Sequence, residues 1–197
     1  MDGLVNSQPM QLPRSCERAL LERFLKAEAM ALWAVRSAQM QEVPKNVQMF
    51  LLKHEEDERE HLRQFEVMLG CQSRRRESLP AVPRQWPALA VYLYGYEALG
   101  LEFATLLATL RPDLSAILED EVTHVGFFER EIQKILSGDP AGADQARISA
   151  RAWWRKVPRT VDRYLHDDTL VPFRLHLRRR ILDALLTRLM AVGLVAG

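Results

Sequence analysis

Two short stretches of this chain carry the same chemistry: Asp57-Glu58-Arg59-Glu60-His61 and Asp120-Glu121-Val122-Thr123-His124. In each, a glutamate precedes a histidine by three residues, a spacing that puts both side chains on one face of an α-helix. A carboxylate and an imidazole side by side suit iron or manganese, and carboxylates can bridge two ions. Both pairs interrupt apolar helical stripes where leucine is expected. The first stripe runs Val47, Leu51, His54, Glu58, His61, Phe65, Met68, and the second Leu114, Ile117, Glu121, His124, Phe128, Ile132, Ile135. One Glu-x-x-His in a charged run such as residues 54–61 reads as a solvated face. Two of them on core stripes, with Glu28 on a third, read as ligands. Several glutamates in a core without a cation would repel one another and lose hydration at large cost.

The elements that must position these groups are all helical. From Ser15 to about Gln41 the stripe Leu21, Phe24, Leu25, Glu28, Leu32, Val35 recurs at i, i+3/i+4, i+7. Pro44 opens a second helix and Gly70 ends it. Residues 71–87 hold three prolines and the basic run Arg74–Arg76, and read as a long connection. Residues 88–109 are apolar nearly all round, broken by Glu97 and Glu102, as befits a central helix. Pro112 opens the fourth helix and Gly138 is placed to stop it. A basic helix over 144–165, kinked at Pro158, and an amphipathic one from about Pro172 to Val192 complete the chain. No strand pattern appears. The expected fold is all-α: a four-helix bundle with a long crossover between helices two and three, plus two additional C-terminal helices. Residues 1–197 form one domain, with the bundle over 15–137 and a basic helical extension over 138–197.

Two helix pairs, each giving one Glu and one Glu-x-x-His, make the ligand set of two-metal carboxylate bundles. Glu28, Glu58, His61, Glu121 and His124 supply five of the six. The sixth must come from helix three. Antiparallel neighbours hold ligands level when these are equidistant from the turn between them. Glu102 and the 121/124 pair centre on Pro112, much as Glu28 and the 58/61 pair centre on Pro44. Glu102 is therefore the expected ligand, with Glu97 the alternative. Asp57 and Asp120 can each accept the second ring N–H of the histidine on the facing helix. His54, on the same stripe as Glu58, reads as a hydrogen-bonded buried histidine. Tyr92, Tyr94, Tyr96, Trp153 and Trp154 read as packing residues.

Composition narrows the partners. Nearly half of the 197 residues are apolar, enough for a substantial core, and the formal net charge is +1. The charge is uneven: residues 1–140 hold 16 basic and 21 acidic side chains, residues 141–197 hold 11 and 5. That basic end admits an anionic partner such as RNA. Cys16 and Cys71 make no CxxC, so no rubredoxin-type iron site or disulfide framework is expected. The polar N-terminus is not a signal peptide, and Asp183 and Arg188 break the apolar tail before it could span a membrane. A cytoplasmic monomer or homodimer is expected.

With these residues in view, the chain resembles the ferritin-like di-iron carboxylate superfamily over roughly residues 15–137. The paired Asp-Glu-x-x-His motifs are similar to those of oxygen-activating hydroxylases. The stretch 97–107, EALGLEFATLL, is similar to helix three of MiaE-type tRNA hydroxylases and of aldehyde-deformylating oxygenases. Rubrerythrins share the Glu-x-x-His pair more distantly. The resemblance implies a cofactor of two iron ions, or manganese or a mixed iron–manganese pair. It implies an O₂-activating hydroxylase or monooxygenase acting on a small organic molecule or tRNA. No flavin, nicotinamide or iron–sulfur motif is present, so a separate reductase would supply electrons. The alternatives are a ferroxidase, a rubrerythrin-like peroxidase or another iron-handling protein, and a metal-free helical interaction module.

Overall fold

The computed structural model describes residues 12–73 and 80–195. Arg74–Arg76 of the basic run lie outside them. The described residues form seven α-helices and no strand: α1 Glu17–Gln39, α2 Lys45–Leu69, α3 Trp86–Leu110, α4 Ser115–Ser137, α5 Pro140–Trp154, α6 Val157–Tyr164 and α7 Arg174–Ala191.

Local chemistry sets the boundaries. Gly70 sits at φ 63°, and the amide of Cys71 reaches back to Glu66 O (3.1 Å), satisfying the last carbonyls of α2. Asp139 caps α5 by accepting from the amide of Gly142 (3.0 Å), with Pro140 as first residue. The C-terminal extension contains three helices rather than the expected two. Pro158 does not kink one long helix but becomes the second residue of a new one, α6. Its missing N–H costs nothing there, whereas inside a continuous helix it would have removed a bond and crowded the preceding turn.

Cross-helix contacts give the directions. Arg36 meets Glu55 while Phe24 stacks on Phe65 at 5.2 Å, so α1 and α2 are antiparallel. Asn46 reaches Glu131 and His61 reaches Asp120, so α2 and α4 are antiparallel as well. Tyr94 bonds to Glu129 and Gly100 abuts Glu121, which sets α3 against α4 in the same way. Hence α2 and α3 run in the same sense, and the connection between them must travel the length of the bundle. The Ser37 hydroxyl donates to Pro80 O (2.7 Å), so by residue 80 the chain is already at the far end of α1.

Helix α3 is covered by α1, α4, α5 and α7, which accounts for its all-round apolarity. The tightest of these contacts is at Gly95, where Trp153 of α5 lies directly on the backbone. A Cβ there would come within 2.4 Å of the indole. Gly95→Ala is therefore expected to destabilise the fold by about 1–3 kcal/mol through overpacking. Gly126→Ala on α4 would meet nothing closer than an Arg130 guanidinium at 3.5 Å. It is expected to gain about 0.5–1 kcal/mol from helix propensity. Urea unfolding of the pair checks both signs, and equal effects would refute the contact.

Candidate metal centre

Seven ionisable side chains meet inside the bundle, and all are buried: Glu28 from α1, His54, Glu58 and His61 from α2, Glu97 from α3, and Glu121 and His124 from α4. They form two groups. One comprises Glu28, Glu58, His61 and Glu121, and the other His54, Glu58, Glu97 and His124. Within each, one potential ligand atom per residue lies within 4.8 Å of all the others. Glu58 belongs to both, the position of a bridging carboxylate.

The two Glu-x-x-His histidines are held from behind. His61 Nε2 donates to Asp120 Oδ2 (3.1 Å) and His124 Nε2 to Asp57 Oδ2 (3.4 Å). The structure thus places Asp57 and Asp120 across the helix pair from the histidines, as the sequence implied. A carboxylate only accepts, so the proton sits on Nε2 and the Nδ1 lone pair faces inward. That lone pair meets other acceptors. His61 Nδ1 lies 3.5 Å from Glu28 Oε2, and His124 Nδ1 lies 3.5 Å from Glu97 Oε2. Neither nitrogen has a hydrogen bond, and Glu28 Oε2 and Glu58 Oε2 are equally orphaned. Buried acceptors aimed at one another are costly unless a cation stands among them. The donor set, oxygen with imidazole nitrogen, suits iron or manganese. The residues present fit a two-metal centre.

Of the two glutamates on α3, Glu97 is the one that lies among these side chains, not the preferred Glu102. Glu102 lies outside both groups, and its carboxylate pairs with Arg188 Nε of α7 at 3.5 Å. Five residues turn a helix by about 140°, so the two glutamates cannot face the same way. The level argument misjudged the turn as well. Helix α3 ends at Leu110, and Pro112–Leu114 form a 3₁₀ turn before α4. A 3₁₀ turn rises about 2.0 Å per residue. This puts the 121/124 pair roughly 17 Å from the turn, against roughly 20 Å for Glu97 and 12 Å for Glu102.

His54 joins the centre as a third histidine, fully buried, with Nε2 3.0 Å from Glu58 and 3.3 Å from Glu97. It is the buried, hydrogen-bonded histidine expected from the sequence, but it also stands within coordinating distance. The signal was its place one turn before Glu58 and two before His61. Behind it, Phe50 stacks on Phe127 at 3.6 Å and closes that side of the site.

A cavity of about 370 Å³ adjoins the centre, with Glu28, Glu58, Glu97 and Glu121 in its wall. Gly100 lines it and Gly95 does not. A Cβ at Gly100 would lie 2.9 Å from Glu121 Oε2, so this glycine lets the carboxylate approach α3. Tyr92 and Tyr96 also line the cavity, whereas Tyr94 is fully buried and donates to Glu129 (3.2 Å).

Without metal the site is electrostatically frustrated. Burial, together with neighbouring carboxylates, pushes Glu28 up to about 7, Glu58 up to about 8, and Glu121 well above the usual range. For Glu97 burial acts upward too, but the neighbouring His54 chiefly outweighs it, and that carboxyl is held far below the usual range. Burial would lower His54, yet the Glu97 charge and bonds to Glu58 and Glu97 push it up to about 10. Groups whose folded values are raised contribute stability that is fully present below the unfolded value and lost as pH rises through the folded one. The Glu97 contribution runs the other way but is complete above the ordinary carboxylate range. The metal-free protein is therefore expected to lose stability between about pH 5 and pH 8. Calorimetry at both ends of that window tests this, and a higher unfolding midpoint at the alkaline end would refute it. Metal loading should reverse the trend, because metal competes with protons for the same groups.

No protein-family model, no curated protein and no solved structure matches this chain.

Proposed function

We propose that this protein is a ferritin-like di-iron oxidoreductase that activates dioxygen to hydroxylate an organic substrate. The observation that carries the reading is the pair of candidate ligand groups sharing Glu58 beside a cavity of about 370 Å³ with largely apolar walls. The antiparallel pairs and the long connection between two parallel helices support the ferritin-like arrangement.

Each residue has a task. Glu28, His61 and Glu121 would hold one ion and Glu97, His124 and His54 the other, with Glu58 within reach of both groups. Asp57 and Asp120 fix the ring orientation and tautomer of the two histidines. A pair of ferrous ions bound there would supply the electrons for dioxygen activation. The apolar walls, including Phe24, Leu99 and Phe103, exclude water from the reacting end of the substrate. Electrons for turnover come from a separate reductase.

The cavity favours an organic substrate over iron storage or peroxide removal, which need no apolar cavity beside the ligands. Among possible substrates, a small molecule is favoured over tRNA. The space beside the carboxylates is a cavity of about 370 Å³, a size that suits a small molecule. Among the described residues no helix is long and apolar enough to cross a membrane.

Anaerobic loading with ferrous iron, then exposure to air, tests the proposal. About two irons per chain and a bridged ferric absorption are expected. Absence of stoichiometric iron and of manganese would sink it.

A further inference from the structure

The cavity beside the metal ligands is polarised along its length. Its buried end presents the carboxylates of Glu28, Glu58, Glu97 and Glu121. Its solvent end is lined by Arg23, Lys26 and Arg163, of which Lys26 and Arg163 are exposed. The wall between is mostly apolar and aromatic.

The rim cations differ in how they are occupied. Arg23 donates to the ring of His166 on the loop after α6 and also feels Asp167. Among the described residues, Lys26 and Arg163 have no acidic partner within 4.0 Å. Arg163 donates to the Thr160 hydroxyl (3.3 Å). Arg163 itself lines the cavity, together with Tyr96 and Tyr164.

We propose that the cavity binds an apolar molecule carrying one carboxylate, with the acid at the rim between Lys26 and Arg163 and the apolar end against the metal ligands. This rests on the reading of the centre as an oxygenase site and names the class of its substrate. The volume suits a small organic molecule. The apolar wall requires that most of it be hydrocarbon or aryl. Four carboxylates with two divalent ions leave the inner end without net positive charge. The uncompensated positive charge is at the rim, and it orients the ligand acid-outward. The carbon presented to the centre is then the one remote from the acid.

The test is calorimetric titration of 4-phenylbutanoate and of its neutral isostere 4-phenylbutanamide at low salt. Manganese-loaded and metal-free full-length protein are used, with metal content measured on the same samples. The acid is expected to bind at least about tenfold more tightly than the amide in both forms. Arg163→Glu and Lys26→Glu should each remove that preference without weakening the amide, and Arg163→Gln should reduce it. Both positions are exposed, and circular dichroism verifies folding. Equal affinity for acid and amide would overturn the proposal, as would acid binding that vanishes with the metal but ignores Arg163→Glu. Displacement of the acid by a short single-stranded RNA, without any acid-over-amide preference, would also overturn it in favour of a polyanion at the rim. Two ions per chain without acid preference defeats the substrate class alone. Acid preference in a protein that takes up no metal supports the rim and defeats the oxygenase reading.

Discussion

Glu58→Ala is expected to abolish metal binding in both halves of the centre while leaving the helical fold intact. Glu58 is the one residue common to both ligand groups, and it is fully enclosed. Its loss removes a donor from each ion and also the bond from His54 Nε2. Loss of even an outer partner of a metal ligand typically costs 10–100-fold in affinity, so affinity should fall at least about 100-fold for a direct bridging ligand. The metal-free protein should not suffer in proportion. Removing one of four crowded carboxylates relieves repulsion with Glu28 and Glu97, the neighbours that help push Glu58 upward. Glu58→Gln, which keeps the volume, separates lost packing from lost charge. Elemental analysis after ferrous loading, with thermal unfolding of the metal-free variants, provides both readings. A full metal complement in Glu58→Ala would refute the centre.

The second large effect separates the two glutamates of α3. Glu97→Ala should empty the half-site shared by His54 and His124, lowering its affinity at least about 100-fold. It should also release His54 from the charge that chiefly keeps it protonated. Glu102→Ala should leave metal content unchanged. Its cost is confined to the contact with Arg188, which keeps Glu129 at 3.5 Å, so a loss of about 1 kcal/mol or less is expected. Equal metal content in the two variants, or the reverse order, would contradict the geometry around α3. Metal stoichiometry decides the matter without any knowledge of the substrate.

The two motifs were legible because their information is local. Glu and His three apart share a face whatever the helix packs against, and a stripe that would otherwise be leucine states which face is buried. The same holds for the ends of α2, where Pro44 stands at the N-cap and Gly70 supplies the left-handed stop. From these, five of the clustered side chains, the two aspartates behind the histidines and an all-helical chain could be read without coordinates.

The sixth ligand depended on information that α3 does not carry. A helix covered on every side has no polar face to mark its azimuth, so Glu97 and Glu102 looked alike. Only the packing of α7 against one side and α4 against the other distinguished them. The division of the C-terminal extension into α5, α6 and α7 turned on whether Pro158 bends a helix or begins one; α5 ends at Trp154, whose carbonyl a proline at 158 cannot satisfy, and α6 begins at Val157. Sequence alone determined which residues are able to bind metal, because that follows from side-chain chemistry and helical period. Tertiary structure decided which of them meet, that His54 stands among them, and that a cavity with a cationic mouth lies alongside, because these depend on distances between elements far apart in the chain.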